Sequence, residues 1–461
     1  MSMVQDIPPP AVSAKIKAGW AVGELAIAVY IGLSMTFMLF YCTEALKIPP
    51  ALAGVALLLP RILDAFADPM MGAISDRTTS KMGRRRIYLL FGAPLLGLSF
   101  ASVFFVDPTA PLMMRTAILM LLFLASNAAV TLYEVPFSAM AAEMTGDYQE
   151  RTSLTGYKMM AARAGIILAV FVGPLLFRST ADLAQGFRVL GVVAGLFIAV
   201  TGLWAFFATR DAPRIVSVAH RFSIQAEYRA VLGNGPFRAL WFTFLMQNLA
   251  IGAASTALIY FLVNVMRMDP KSAGPFLSIS GFTAAVATPF WVLITRRLGK
   301  RTAYFCALGA CAATAGALAF IAPGLAGLLF VALMIAGAAD AGTQLAPNAM
   351  LPDTVEVDQA RTGERREGAL FGVWGFCRKL GMTTGAFLVS LALSAVGFIQ
   401  GVAPSLQPHG ALLGIRVIYA GLPCGLWIAA IFALTRYSLT EANFNALKAE
   451  ILAKQGVPAA P

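Results

Sequence analysis

The feature that most restricts how this chain folds is a series of long apolar blocks, each sufficient to cross a bilayer as a helix. A hydrocarbon core about 30 Å thick takes about 20 helical residues. Blocks of this kind fall near 19–44, 51–75, 88–106, 112–141, 159–178, 187–208, 238–264, 272–294, 303–322, 325–350, 368–398 and 412–435. Lipid gives backbone amides nothing to bond to, so a crossing segment must satisfy its own groups, which the α-helix does. Composition agrees: 59% of the residues are hydrophobic and 13% are Asp, Glu, Lys or Arg, whereas soluble domains carry about 25% charge. The expected fold is an all-α polytopic membrane protein of about twelve transmembrane helices. A soluble multidomain enzyme does not fit.

The formal net charge of +12 invites a nucleic-acid reading, but the placement of the charges points elsewhere. With the N-terminus inside, the connections 75–87, 209–237, 296–302 and 351–367 fall on the inner side. They hold Arg77, Lys81, Arg84, Arg85 and Arg86, then Arg210, Arg214, Arg221 and Arg229, then Arg296, Arg297, Lys300 and Arg301, then Arg361, Arg365 and Arg366. The outer connections hold little beyond Lys47, Arg115, Arg178, Arg188, Arg267 and Lys271. This asymmetry follows the positive-inside rule and predicts a multi-pass protein of the cell (inner) membrane with both termini cytoplasmic. The basic turns suit anionic headgroups, so the lipid bilayer is the expected partner and nucleic acid is not. The N-terminal MSMVQDIPPPAVSAKIK is too polar for a signal-peptide core, and the block after it is too long for one. Cys42, Cys306, Cys311, Cys377 and Cys424 show no metal-ligand spacing, and His220 and His409 lie far apart. The cysteines read as small packing residues, and no cofactor or resident metal is expected.

The most polar long stretch, 209–237, divides the blocks six and six. The predicted organisation is an N-terminal six-helix half over 1–208, a cytoplasmic linker over 209–237, a C-terminal six-helix half over 238–436 and a cytoplasmic tail over 437–461. A weak internal repeat supports two homologous halves. Leu154, Gly156, Arg163 and Gly165 recur as Leu370, Gly372, Lys379 and Gly381, each 216 residues later. Ala139, Met140 and Glu143 match Ala349, Met350 and Asp353 at a displacement of 210. Gly83-Arg84-Arg85-Arg86 is echoed by Gly299-Lys300-Arg301. Two such halves are the plan of carriers that rock about a site near the bilayer midplane.

Ionisable residues inside apolar spans carry the most information. An Asp at the centre of a membrane helix costs about 2.5–3.5 kcal/mol, so it faces a partner or a wet cavity. Asp64 and Asp68 stand four apart on one face of the second span, with Arg61 a turn earlier. Stacked carboxylates repel when both are ionised, and a bound cation or a shared proton relieves the repulsion. The other reading is a buried salt-bridge knot with Arg61 that only fixes helix packing. In the fourth span, Tyr133-Glu134-Val135-Pro136 adds a third carboxylate, with Thr131 three residues before it. Pro136 should loosen that helix locally. In the eleventh span, Arg378 and Lys379 are adjacent cations. Lys379 either pairs with the second-span carboxylates or binds an acidic substrate. Glu24 and Tyr30 in the first span, Gln247 and Asn248 in the seventh, and Asp340, Thr343, Gln344 and Asn348 in the tenth are further polar candidates. Each is either a substrate contact or an interhelical hydrogen bond. Gln344 stands 210 residues after Glu134, and Tyr133 and Trp374 could offer stacking surfaces.

The turn Gly72-Ala73-Ile74-Ser75-Asp76-Arg77, closed by Gly83-Arg84-Arg85-Arg86, is the most specific string in the chain. Gly72 is expected to permit close helix approach, Asp76 to take an arginine or helix-end hydrogen bond, and the arginines to anchor at the membrane surface. The string reads as a gate latch.

These residues resemble the signature loop of the major facilitator superfamily. The longer string RILDAFADPMMGAISDRTTSKMGRRR resembles more narrowly the glycoside–pentoside–hexuronide:cation symporters, the melibiose-permease-like family. Tyr133-Glu134-Val135-Pro136, Asp147 with Glu150-Arg151, Leu351-Pro352-Asp353-Thr354-Val355-Glu356, and Lys379 with Gly381 are similar to that family's later motifs. The resemblance implies the major facilitator fold, with Asp64 and Asp68 holding the coupling cation, Thr131 nearby, and Glu134 linking substrate and cation sites. It implies that Lys379 borders the same cavity and that Lys158 sits near a family arginine. Three departures stand out. Ala67 replaces an asparagine that completes the sodium site in melibiose-permease-like members. Leu25, beside Glu24, replaces a sugar-binding aspartate, and Gln344 replaces a tryptophan.

The leading expectation is a cation- or proton-coupled symporter of a sugar, glycoside or related small solute. It would work by alternating access as a monomer, with H+ or Na+ as coupling ion. A carrier of lysophospholipid-like or other amphipathic solutes, or an uncoupled facilitator, is the alternative. A passive channel or structural membrane protein would need no coupling carboxylates. The chain lacks HExxH, a strand–helix GxSxG and a P-loop, which disfavours hydrolysis and ATP-driven pumping.

Overall fold

The computed structural model describes residues 12–145, 147–213, 234–362 and 367–439. Most of the expected linker, including Arg214, Arg221 and Arg229, lies outside these residues, as do Arg365, Arg366 and the tail beyond 439.

Twelve long helices run through the described chain, and no strand occurs among those residues. In the first half they are α1 (Ala14–Phe40), α2 (Pro50–Arg77), α3 (Arg86–Val103), α4 (Leu112–Met144), α5 (Tyr148–Phe177) and α6 (Leu183–Ala208). In the second half α7 (Gly235–Tyr260), α8 (Ala273–Leu298), α9 (Lys300–Leu318), α10 (Ala326–Thr362) and α11 (Glu367–Ala395) are followed by α12 (His409–Thr435). Eleven of them are long and apolar enough to cross a membrane. α9 falls short of that measure because it opens on Lys300-Arg301 and is built largely of Ala and Gly.

Local chemistry sets the helix ends. The side chains of Asp147, Asp182 and Asn234 cap α5, α6 and α7 by accepting first-turn amides, which have no partner inside the helix. Pro50 sits in the first turn of α2, where its missing N–H costs nothing. Two helices outrun the apolar blocks. α5 starts at Tyr148 rather than near 159, and α10 continues to Thr362 through what reads as an inner connection. The α10 extension is helical because Leu351, Val355 and Asp358 bury one side of it at helical spacing, a pattern that polar neighbours mask in a hydropathy profile.

The described helices divide between two compact units, Met1–His220 and Arg221–Pro461. In the first unit α1 packs on α5 and α6, α3 on α4 and α6, and α2 on α4. In the second, α7 packs on α11 and α12, α9 on α10 and α12, and α8 on α10. Each contact in one unit thus has a counterpart six helices on, so the internal repeat extends to packing. Glycine permits a close crossing in the first unit: a Cβ on Gly97 of α3 would stand 2.3 Å from the Gly195 carbonyl oxygen of α6.

The repeat reaches a backbone detail that the sequence does not announce. α1 ends in a π-helical turn, Tyr41–Ala45, and α7 in another, Phe261–Val265. Each is followed by a basic residue with positive φ, Lys47 at 50° and Arg267 at 55°. These are the only non-glycine residues with positive φ among those described. Large apolar side chains such as Leu98, Met113, Phe290 and Phe432 remain exposed, as suits helices that meet lipid rather than water.

Candidate functional site

Two helices of the first unit, α2 and α4, bring together most of the ionisable side chains expected to carry function. Arg61, Asp64 and Asp68 share one face of α2, since residues three and four apart are neighbours on a helix. Asp64 is buried, with 4% of its surface exposed. Its Oδ2 lies 3.8 Å from Nη1 of Arg61, an ion pair too long to be a hydrogen bond. Ring faces also hold the guanidinium, whose carbon lies 5.4 Å from the Tyr30 ring centre and 5.6 Å from that of Phe123, within cation–π reach. Nη2 of Arg61 is buried without a hydrogen bond among the described residues. Tyr30 is fully buried and donates to Oδ1 of Asn127 at 3.1 Å.

One turn along α2, Oδ1 of Asp68 accepts a hydrogen bond from Thr131 Oγ1 at 2.9 Å. Glu134, half-buried, follows three residues later on α4. Asn127, Thr131, Glu134 and Ser138 therefore make one polar stripe along α4. Asn127 and Ser138 escape a search for charge, although their spacing from Thr131 and Glu134 is the helical period that would find them. Proline at 136 leaves α4 unbroken from Leu112 to Met144. Two carboxylates a turn apart and one hydroxyl are donors of the kind that suit a small cation or a proton. No cluster of three or more His, Cys, Asp or Glu with metal-ion geometry is found among the described residues.

A second pair joins α1 to α5. Nζ of Lys158 lies 3.5 Å from Oε2 of Glu24 and donates to Ser138 Oγ at 2.8 Å. The same place in the second unit is filled by Trp374, whose Nε1 donates to Oδ1 of Asn348 at 3.1 Å. Trp374 stands 216 residues after Lys158, and Asn348 stands 210 after Ser138. An ammonium in one unit thus occupies the position of an indole in the other. On α10, Thr343 Oγ1 and Gln344 Nε2 donate to Oδ1 of Asp340 at 3.0 and 3.5 Å. Lys379 is half-buried on α11, and Arg378 beside it is exposed.

Several expectations need correction. Tyr133 offers no stacking surface, because it is fully buried and donates to the Gly23 carbonyl at 3.3 Å. Trp374 has one face covered by Phe244, with ring centres 3.8 Å apart. Asn248 is buried and spends its amide on the Phe244 carbonyl of its own helix at 2.7 Å. Tyr30 likewise serves the Arg61–Asn127 contacts rather than an open cavity. All four sit where helices pack closely and side chains have been drawn into the interface.

At the end of α2, Arg85 is the centre of the expected latch. Its Nη2 lies 2.6 Å from Oδ1 of Asp76 and its Nε 3.2 Å from Oε1 of Glu143. It also donates to the Ala139 carbonyl, and Arg84 pairs with the same Glu143. Arg86 donates to the Phe206 carbonyl at 2.6 Å, near the end of α6. Arg85, Arg86 and Glu143, with Gly83, which turns at φ 103°, border a cavity of about 20 Å³, room for about one water. Arg85 and Arg86 are therefore buried and bonded, not anchored at a membrane surface. Arg77 is the exposed one. Gly72 is not at a close crossing either, since an added Cβ would meet only Val135 at 3.9 Å. The second unit repeats the latch more simply: Lys300 Nζ lies 2.7 Å from Asp353 Oδ2, the counterpart of Arg84 with Glu143.

Comparison with known proteins agrees with this architecture. Residues 19–441 match the family described as MFS/sugar transport protein. A glucuronide carrier protein homolog of Escherichia coli is 26% identical over 438 residues, covering 94% of this chain and 94% of its own. A putative glycoside/cation symporter of the same organism is 26% identical over 444 residues, covering 95% of each chain. Among solved structures, a bacterial homologue of the human lysosomal transporter Spinster superposes with a TM-score of 0.67. It shares 14% identity and covers 97% of this chain and 98% of its own, a likeness of fold alone.

Proposed function

The chain belongs to the MFS/sugar transport protein family of the major facilitator superfamily, and we propose that it carries a sugar or glycoside across the inner membrane together with a cation or proton held by Asp64 and Asp68. The chain is a multi-pass membrane transporter, and its relatives are named as symporters. The observation that supports coupling is the placement of Asp64 and Asp68 a turn apart inside a membrane-spanning helix, with Thr131 donating to Asp68.

In this reading a cation or proton relieves the repulsion between the two carboxylates. Glu134, on the same stripe of α4 as Thr131, relates the loaded ion site to the bound solute. Solute and ion then cross together by alternating access. Arg61 stays beside Asp64 throughout, because its guanidinium is held by Tyr30 and Phe123. The Arg85 latch with Asp76 and Glu143 opens and closes with the cycle on the cytoplasmic side, and both termini share that side. Lys158 is matched by Glu24 and Ser138, so its charge does not by itself demand an acidic substrate. The carrier acts as a monomer in the bilayer, without nucleic acid or a resident cofactor.

The test is uptake by proteoliposomes of labelled glycosides, pentoses, hexuronates and a lysophospholipid under imposed sodium or proton gradients. Accumulation of one sugar driven by one gradient is expected. Uptake of the lysophospholipid alone, or sugar flux indifferent to both gradients, overturns the reading.

A further inference from the structure

The middle of α10 carries a carboxylate that the coupling site does not use. Asp340 lies well inside a helix long and apolar enough to cross a membrane. Among the described residues, no lysine, arginine or histidine nitrogen reaches ion-pair distance of it. Its partners are neutral groups from its own helix, the Thr343 hydroxyl and the Gln344 amide, and both donate to Oδ1. Oδ2 is not among the buried side-chain atoms that lack a partner, so it is not sealed in packing.

Asp340, Gln344 and Asn348 recur every four residues and form one strip along α10. Asp340 and Gln344 are half-buried and Asn348 is exposed. A carboxylate and two carboxamides in a row do not face hydrocarbon, where each would go unsolvated, so the strip borders water. The side of α10 away from the strip is closed at Gly342, which abuts Trp291 on α8, and on the strip's own face α8 packs against Gly337 one turn before Asp340. Three of the strip's bonding groups are already occupied: Gln344 Nε2 by Asp340, Asn348 Nδ2 by the Gln344 carbonyl, and Asn348 Oδ1 by Trp374. Trp374 is fixed in turn by Phe244, so this end of the strip is rigid. What remains to meet a ligand is Oδ2 of Asp340 and Oε1 of Gln344 as acceptors, with one further N–H on each of the two amide nitrogens.

We propose that Asp340 is a specificity residue, which with Gln344 accepts hydroxyl donors of an uncharged polyhydroxylated solute and turns acidic solutes away. A sugar hydroxyl donates to a carboxylate readily, whereas a second carboxylate brought beside it meets like charge. The inference rests on the sugar-transport reading and narrows its substrate class to neutral sugars or glycosides.

The test uses two probes that differ only at C6, a labelled phenyl β-glucoside and the matching phenyl β-glucuronide. Uptake and thermal stabilisation of the purified carrier are measured for wild type, Asp340→Asn and Asp340→Glu. The expected wild type prefers the glucoside at least tenfold, Asp340→Glu keeps that preference, and Asp340→Asn reduces it at least tenfold. The ratio between probes does not depend on how much variant folds. A wild type that prefers the glucuronide, or an Asp340→Asn ratio equal to wild type, overturns the inference and leaves sugar transport standing. If neither probe is carried or stabilises any of the three proteins, the inference and the sugar-transport reading fall together.

Discussion

The Thr131 hydroxyl donates to Oδ1 of Asp68 at 2.9 Å and ties α4 to α2 at the pair of carboxylates. A hydrogen bond to a charged acceptor contributes about 1.5–3 kcal/mol, and about 1.4 kcal/mol is a factor of ten in an equilibrium. Thr131→Val keeps the volume and removes the hydroxyl. The cation concentration for half-maximal transport is expected to shift about tenfold. It rises for a metal ion, which loses an oxygen neighbour, and falls for a proton, which no longer competes with the hydroxyl. Titrating uptake against each ion checks both size and sign.

Arg85 bridges Asp76 and Glu143, while Arg77 is exposed at the end of α2. Removing Arg85 takes from Asp76 its cation and leaves Glu143 with Arg84 alone. Breaking a buried pair costs about 3–5 kcal/mol. Asp76 keeps 31% of its side chain exposed, so about 1–3 kcal/mol is the reasonable expectation. Arg85→Ala should lower the melting temperature in detergent and slow transport, and Arg77→Ala should do neither. Equal effects would mean that the turn works by charge alone.

The α3–α6 crossing leaves no room at Gly97. Gly97→Val should separate the two helices and cost about 1–3 kcal/mol through overpacking, or more. Gly156 has nothing within 4 Å of an added Cβ, so Gly156→Ala should be well tolerated. Melting curves and the monodispersity of the purified variants separate the two cases.

Lys47 and Arg267 hold positive φ at equivalent places after α1 and α7. Left-handed backbone costs a non-glycine residue about 1–2 kcal/mol. Lys47→Gly and Arg267→Gly should each raise thermal stability slightly, by less than about 1 kcal/mol after the entropy of glycine is counted. A β-branched replacement at either site should lower it. Melting temperatures of the four variants provide the check.

Much of the fold is legible in the sequence because lipid imposes a simple rule: long apolar blocks become helices. The repeat is legible for the same reason, through Glu143 and Asp353 or Gly83 and Gly299, which hold equivalent positions in turns and pairs. Helix ends are less legible. The Tyr148 start of α5 and the Thr362 end of α10 depend on capping and one buried side, which polar neighbours hide. At the site, Asp64, Asp68 and Thr131 are found by charge and spacing in an apolar background. Tyr133, Trp374 and Asn248 mislead, because an aromatic or amide in a membrane helix serves packing as readily as binding. Their burial is a property of neighbours such as Gly23 and Phe244, which no local pattern reports. Arg85 is the converse case: read as a surface anchor, it is buried because Asp76, Ala139 and Glu143 converge on it from two helices.

The central claim is that the α2 carboxylates convert an ion gradient into solute accumulation. It is tested most directly in proteoliposomes by measuring, for wild type and Asp68→Asn, both accumulation under an imposed sodium or proton gradient and solute exchange without one. The account expects wild type to accumulate solute with one of the two gradients. It expects Asp68→Asn to lose that accumulation while still exchanging solute across the membrane. Accumulation by Asp68→Asn equal to wild type would contradict it.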